Sequence, residues 1–309
     1  MISICIPIYN YDMNKLVGAL HRQAANLEVA FEILLIDDCS DRVFQKNNRK
    51  LAKQELVRYE ELDQNIGRSR IRNLLMGKAN YDYLLFLDCD SELPDTDYLK
   101  RYLHCIHNDP GVSVIVGGTT YANAPGNPEK RLHWLFGSKR EVKTAAQRLQ
   151  NPHKSFTSNN FLIHKNILKT VPFNEMLSGY GHEDTLLGYE INKRGIPIRH
   201  IDNPLIHKGL ETAKEFLAKT DQGLKNLLKI NELLQHEPEF IQTVRVLNLS
   251  HRLKRLKLLK PFVTVFSYIE KSIVRQLLGK SPNLWMLDFY KLGKISQYSI
   301  DAQSGSQAT

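Results

Sequence analysis

Several groups of residues in this sequence have types and spacings suited to chemistry. Asp37-Asp38 closes the apolar run Phe31–Ile36, and Asp88-Cys89-Asp90 closes the run Tyr83–Leu87. Two carboxylates at i and i+2 can bracket a hard divalent cation, which takes oxygen ligands and keeps positions open for phosphate. A single Asp at a strand end more often starts a turn or caps a helix. Acid pairs at two such ends favour function. Asn65-Ile66-Gly67-Arg68 opens a helix that also bears Arg70 and Arg72. That combination suits an anionic diphosphate, and a solvated basic face fits it equally well.

Gly179-Tyr180-Gly181-His182-Glu183-Asp184 is a glycine-flexible turn entering a helix. Glu183 or Asp184 can serve there as a general base. Acids are also favoured in a first helical turn by the dipole alone, which predicts an ionised and weakly basic Asp184. His207 either completes a metal site or is structural. His104 and His107 share a helix face around Cys105, but with no further ligand nearby they read as ordinary surface.

The elements that must hold these residues follow from the apolar pattern. Ile2–Ile8, Phe31–Ile36, Leu56–Leu62, Tyr83–Leu87, Val112–Val116, Phe161–His164 and Ile196–Ile201 read as strands. Met13–Leu27, Ile66–Lys78, Thr96–Asn108 and Asp184–Arg194 read as helices, the last closed by Gly195. Short strands without polar alternation, separated by helices, predict an α/β fold with a mostly parallel sheet covered on both faces. Ligands of such sheets bind beyond the carboxyl ends of the strands, where both acid pairs fall. Asn123–Pro152 reads as a long loop or lid, and the chain from Leu210 to about Gly293 as almost wholly helical. The expected divisions are a catalytic domain over 1–208, a basic helical region over 209–300 and a disordered polar tail over 301–309.

The 309 residues are 42% hydrophobic and 24% charged, which disfavours disorder and a multi-span membrane protein. The net charge is +9. Between Arg245 and Lys280 nine Lys/Arg face one acid, Glu270, so the rest of the chain is nearly neutral. Leu253, Leu256, Leu259, Phe262, Val263, Phe266, Ile269, Ile273 and Leu277 recur there at helical steps, with Pro261 expected to break or kink the helix. A basic amphipathic segment of this kind can lie on an anionic membrane surface, or pack its stripe on the catalytic domain. No nucleic-acid recognition motif accompanies it. The four scattered cysteines give no disulfide framework, Met1–Asn10 reads as a strand and not as a signal peptide, and no apolar run is long enough to span a bilayer. The expectation is a cytoplasmic protein, peripheral on the inner membrane face where the basic segment binds it. Signatures of dinucleotide sites, P-loops, zincins and α/β-hydrolases are absent from the sequence.

Taken together, the motifs resemble the inverting glycosyltransferase family 2 over roughly residues 1–208. ISICIPIYN is similar to its opening strand with a P-x-Y-N end, LLIDDCSD to its D-D-x-S, and FLDCDSELP to its D-x-D strand end. Asn65-Ile66-Gly67 followed by Ile71-Arg72-Asn73 resembles N-x-G then A-R-N, with Ile71 in place of a small residue. The segment from Phe173 to Gly195 resembles the one that carries G-x-G-x-E-D. The resemblance implies a GT-A type fold, a mostly parallel sheet flanked by helices, with a helical C-terminal extension.

The same resemblance implies site roles. Pro7, Tyr9 and Asp38 would line the nucleobase pocket with Asp37 beside them. Asn65, Gly67 and Arg72 would lie near the nucleotide, and Asp88 near the ribose. Asp90 and His207 would hold Mn²⁺ or Mg²⁺. Tyr180, where the family usually has Trp, and Gly181 would contact the acceptor. Asp184 would be the base and Glu183 would orient the acceptor. The partners implied are a nucleotide-sugar donor, a UDP-sugar, and a glycan or glycolipid acceptor in surface polysaccharide synthesis. The Q-x-x-R-W of processive synthases is missing, so single additions are expected. A non-catalytic nucleotide-binding module, a nucleic-acid-binding protein and a nucleotidyltransferase are the alternatives. The first would be expected to lose Asp90 or Asp184, and the last lacks its glycine-rich N-terminal loop.

Overall fold

A computed structural model describes residues 1–27 and 29–305. Its strands are Ile2–Ile8 (β1), Phe31–Asp37 (β2), Val57–Glu61 (β3), Tyr83–Leu87 (β4), Ser91–Glu92 (β5), Val114–Val116 (β6), Thr119–Tyr121 (β7), Asn160–His164 (β8), Arg199–His200 (β9) and Leu205–His207 (β10). Helices up to residue 170 are Asn14–Ala25 (α1), Arg42–Asn48 (α2), Arg68–Lys78 (α3), Tyr98–Asn108 (α4), Arg131–Phe136 (α5), Ala145–Leu149 (α6) and Lys165–Thr170 (α7). Beyond it come Glu183–Lys193 (α8), Ala213–Leu233 (α9), Pro238–Thr243 (α10), Arg245–Arg255 (α11), Leu259–Leu277 (α12) and Leu284–Gly305 (α13).

The chain divides into two compact units. The first comprises Met1–Ala122, Arg140–Ser178 and Glu183–Gly209; the second comprises Asn123–Lys139, Gly179–His182 and the chain from Leu210 onward.

In the first unit a seven-stranded sheet has the order β3-β2-β1-β4-β8-β6-β9. Only β8 runs against its neighbours, β4 and β6. Alternation along β1 explains its unbroken apolar sequence. Ile2, Ile4, Ile6 and Ile8 pack on one face with α1 and α4, through Val17, Leu20 and Tyr102. Cys5 lies on the other face with Ile71, Leu75, Leu187 and Ile191 of α3 and α8. A sheet buried on both sides has no polar face to alternate with. Parallel pairing of β1 sets Ile8 opposite Asp37 and Cys5 opposite Phe86, so the ends of β2 and β4 reach one edge on either side of Pro7-Ile8-Tyr9. A second sheet, β5-β10-β7, sets His207 opposite Ser91.

Three expectations are corrected. The stretch Asn123–Pro152 is largely helical and not a loop. Thr144 and Gln147 form a reciprocal capping box at the start of α6, and Leu132 of α5 is buried with Ala213 and Leu217 of the second unit. The strand expected over Ile196–Ile201 pairs only at Arg199–His200, because Pro197 has no N–H for the ladder. Pro261 does not break a helix. It stands in the first turn of α12, where its N–H is not needed, and the break falls at Leu256–Leu258, with Lys257 at φ 59°.

The second unit packs Phe266, Ile273 and Leu277 of α12 against Leu287 and Tyr290 of α13 and Leu217 of α9. A Cβ at Gly293 would strike the Phe266 ring, so this close approach of two helices requires glycine. Helix α13 includes 301–305, the first residues of the stretch read as a tail; 306–309 lie outside the described residues. Among the described residues no helix is long and apolar enough to cross a membrane.

Candidate functional site

At the sheet edge of the first unit, Pro7, Ile8, Tyr9, Asp38, Arg68, Ile71, Arg72, Asp88, Cys89 and Asp90 line one open cleft. Strand register explains the gathering: β1, β2 and β4 end side by side, and each hands its next residues to the same rim. Tyr9, 55% exposed, presents its ring at the end of β1.

Asp37 and Asp38 have separate jobs. Asp37 is wholly buried and does not line the cleft. One oxygen accepts from the Ser40 amide at 2.7 Å and the other from the Tyr59 hydroxyl at 3.1 Å, so Asp37 shapes the turn beside Asp38 without itself lining the cleft. Asp38 accepts from the amides of Ile66 at 2.7 Å and Gly67 at 3.0 Å, while Asn65 Nδ2 donates to its carbonyl at 3.1 Å. Asn65 and Gly67 therefore reach the site through Asp38. Gly67, at φ 82°, turns the chain into α3 with its amide aimed at that carboxylate. Burial raises the Asp38 pKa against these two donors.

Helix α3 then presents two arginines. Arg72 is 1% exposed, donates to Asp88 at 2.7 Å and to the Arg68 carbonyl at 3.1 Å, and lies over the Phe173 ring at 5.6 Å. Arg68, at the first turn, donates to Asp88 at 3.4 Å and to Glu183. One guanidinium thus ties the strand end after β4 to the first turn of α8, with Arg68 and Glu183 themselves 115 residues apart in the chain. The sequence reading used Arg68 only as part of a basic helix start. Its position directly after Asn65-Ile66-Gly67 was the signal available.

The two neighbouring acids of α8 diverge. Burial acts to raise Glu183, but Arg68 and Arg72 outweigh it and hold its pKa at about 2. Asp184 is raised to about 6, first by burial and then by the Glu183 charge, against an amide hydrogen bond from Thr185 at 2.7 Å. The dipole argument for a weakly basic Asp184 is thereby overturned, because desolvation and a like charge exceed the helix-end contribution.

Asp90 and His207 meet through the small sheet. His207 Nδ1 lies 3.5 Å from Asp90 Oδ1, and the Lys208 amide donates to the Asp90 carbonyl at 2.8 Å. Burial raises Asp90, yet His207 pulls its pKa below the ordinary carboxylate value; burial lowers His207, yet Asp90 raises it. Asp90 Oδ1 is buried without a hydrogen bond. A Cβ at Gly209 would run into the same carboxylate, so the chain closes on Asp90 only because residue 209 is glycine. An acceptor left open in a fitted cradle suits a cation. Among the described residues no group of three or more His, Cys, Asp or Glu that could hold a metal ion is present.

Tyr180 and Gly181 belong to the second unit. Gly179 and Gly181 adopt φ 77° and 99°, and a side chain on either would strike α9 at Gln222 or Gly223. Asn226 of α9 donates to the carbonyls of Tyr180 and Gly181, and Lys219 stands 4.9 Å from the Tyr180 ring centre. The chain passes into the first unit between His182 and Glu183.

The model of the family described as glycosyl transferase family 2 matches residues 3–171. The chain is similar to validoxylamine A glucosyltransferase of Streptomyces hygroscopicus subsp. limoneus, 26% identical over 227 residues, covering 64% of this chain and 49% of that protein. It therefore spans about half the length of that curated relative. Its fold is similar to that of the mannosyltransferase PcManGT from Pyrobaculum calidifontis, solved with GDP-Man and Mn²⁺, at TM-score 0.55 and 13% identity over 97% of this chain and 86% of that one. It is likewise similar to S. aureus TarS 1–349 in complex with UDP, at TM-score 0.51 and 18% identity over 97% of this chain and 91% of that one. The fold is of the GT-A type, as the motifs implied.

Proposed function

The chain belongs to glycosyl transferase family 2, and from that premise we propose a metal-dependent, inverting and non-processive transfer of a sugar from a nucleotide-sugar donor to a hydroxyl of a glycan or lipid-linked glycan. The observation that carries the reading is the Arg68 bridge, which joins the diphosphate-type edge at Asp88 to the turn bearing Glu183 and Asp184.

Each group then has a physical task. Pro7 and Tyr9 offer an apolar and aromatic surface to the nucleobase. Asp38, held by two amides, keeps a lone pair on each oxygen for a base N–H. Arg68 and Arg72 supply positive charge beside the diphosphate, and Asp88 is fixed by both near the ribose. Asp90 and His207 would hold Mn²⁺ or Mg²⁺; when bound, the cation offsets the charge that collects on the departing diphosphate.

Asp184 takes the acceptor proton. The acceptor oxygen forms its bond to the sugar C1 from the face opposite the nucleotide, and the old C1–O bond breaks with its electrons leaving on the diphosphate. The hydroxyl proton passes to Asp184 and the anomeric configuration inverts. A carboxylate with a pKa near 6 is ionised at neutral pH and a better base than an ordinary one. Glu183, kept charged by Arg68, orients the acceptor. By the resemblance of their segment to the family's, Tyr180 and Gly181 would contact the acceptor. Support for a UDP-sugar comes from the likeness to TarS bound to UDP, and support for Mn²⁺ from the likeness to the Mn²⁺-bound mannosyltransferase.

A hydrolysis screen over UDP-, GDP- and dTDP-sugars with Mn²⁺, Mg²⁺ or chelator tests the reading. The expected result is consumption of a UDP-sugar that chelator abolishes. Neither binding nor turnover of any nucleotide sugar would contradict it.

A further inference from the structure

The second unit carries an outward apolar strip that its own core does not use. Helix α12 buries Leu259, Phe266, Ile273 and Leu277 against α9 and α13. Those four members of the sequence stripe therefore belong to a helical core, while Leu256 and Ile269 of the same stripe are exposed. Around the helix from this set, Val265, Tyr268 and Ile269 are exposed by 58%, 84% and 40%. At 3.6 residues per turn, Pro261, Val265, Tyr268 and Ile269 fall within an arc of about 100° whose centre lies roughly 110° around the helix from the buried set. Lys260, Lys271 and Arg275 fall within the adjoining arc of roughly 60° on one flank. All three are exposed.

Two properties of this face coincide. A soluble helix that has satisfied its core normally shows a polar outer side, and here the outer side has a second apolar ridge with an exposed tyrosine at its crest. The charge is also one-sided. Between Arg245 and Lys280 nine Lys/Arg face only Glu270, and Lys294 and Gln297 already engage Glu270 at 3.2 and 3.3 Å. The exposed cations of α11 and α12 thus have almost no acid on their own stretch of chain to answer them. Exposed apolar groups flanked by uncompensated cations match a surface with fixed negative charge above a hydrocarbon layer.

We propose that the outer face of α12, with Val265, Tyr268 and Ile269 dipping between headgroups and Lys260, Lys271 and Arg275 over the phosphates, docks the protein on an anionic lipid surface. The inference is independent of the donor and the base assigned above. It commits to lipid, because no aromatic and cationic interleaving suited to stacked bases is found on this face.

Flotation of the intact chain with vesicles of phosphatidylcholine alone, or mixed with phosphatidylglycerol, tests it. Binding is expected only to the mixed vesicles, weakening with salt. The triple variant Lys260→Glu/Lys271→Glu/Arg275→Glu is expected to weaken it at least tenfold. Val265→Ser/Tyr268→Ser/Ile269→Ser is expected to weaken it severalfold at unchanged charge, with an unchanged melting temperature for both variants. Flotation unaffected by the charge variant overturns the proposal. So does loss with the charge variant alone, which would mean that the apolar ridge takes no part. Displacement from mixed vesicles by an RNA or DNA duplex would reassign the face to nucleic acid and equally overturn it.

Discussion

Two acidic regions of the first unit are built from the same residue types and behave differently. At the sheet edge, Asp88 meets the Arg72 guanidinium and Asp90 the His207 imidazole. At the start of α8, Glu183 takes the Arg68 guanidinium while Asp184 accepts from the amide and hydroxyl of Thr185. The first arrangement holds charge in place and suits binding. The second drives two adjacent carboxyl groups apart, to about 2 and about 6, and suits a proton transfer. Environment, more than residue identity, divides the labour.

The comparison is broken most severely by removing the base. Asp184→Asn is expected to lower transfer by about 10²–10⁴-fold, with nucleotide affinity by calorimetry unchanged. A loss of affinity in step with rate would move Asp184 to the binding side.

A smaller effect is expected at the sheet edge. Asp90→Ala should cost roughly 10–100-fold in metal-dependent donor affinity, because it removes a buried carboxylate oxygen that makes no hydrogen bond and faces His207 at 3.5 Å. Its metal-free nucleotide binding should change little. If donor affinity in Mn²⁺ matches the parent, the cation is held elsewhere.

The smallest effects are on stability, and they have opposite signs. The folded Asp184 pKa lies above its ordinary value, so its ionisation opposes folding; the penalty is absent below about pH 4 and complete above about pH 6. Asp184→Asn should therefore raise stability at pH 7.5 by roughly 1–2 kcal/mol, with the gain vanishing below pH 4. Glu183 has a lowered pKa, so it contributes stability that is lost as pH falls toward 2. Glu183→Gln should be destabilising at pH 7.5 by roughly 2 kcal/mol, since it takes a carboxylate away from half-exposed Arg68 and buried Arg72 and leaves them Asp88 alone among the ion pairs described. Thermal melts across pH would read both signs, and two shifts in the same direction would refute the division.

Much of this was legible along the chain. β-branched runs ending in Asp marked the strands and the rim together, because a parallel sheet buried on both faces leaves little else for such a pattern to be. Other parts depended on distant partners. The role of Arg68 requires α3 and α8 to start near one another, and a basic helix start carries no sign of that. The buried position of Asp37 depends on Tyr59, from a strand that only the register brings alongside. The raised pKa of Asp184 follows from burial, which first-turn acids do not advertise. Arg131–Phe136 looked irregular because three prolines surround it, although Leu132 and the Thr144–Gln147 box were both present. The stripe of α12 was visible as a repeat, but which residues faced inward was decided by α13 and the space at Gly293.

The division between Glu183 and Asp184 is tested most directly by the pH dependence of single-turnover transfer, parent against Glu183→Gln. The parent should show an acid limb near pH 6, where Asp184 protonates. With the Glu183 charge removed and Arg68 left to act on Asp184, that limb should move to lower pH, whatever the loss in absolute rate. An acid limb that stays in place would contradict the account, since the titrating group would then not be a carboxyl raised by its neighbour.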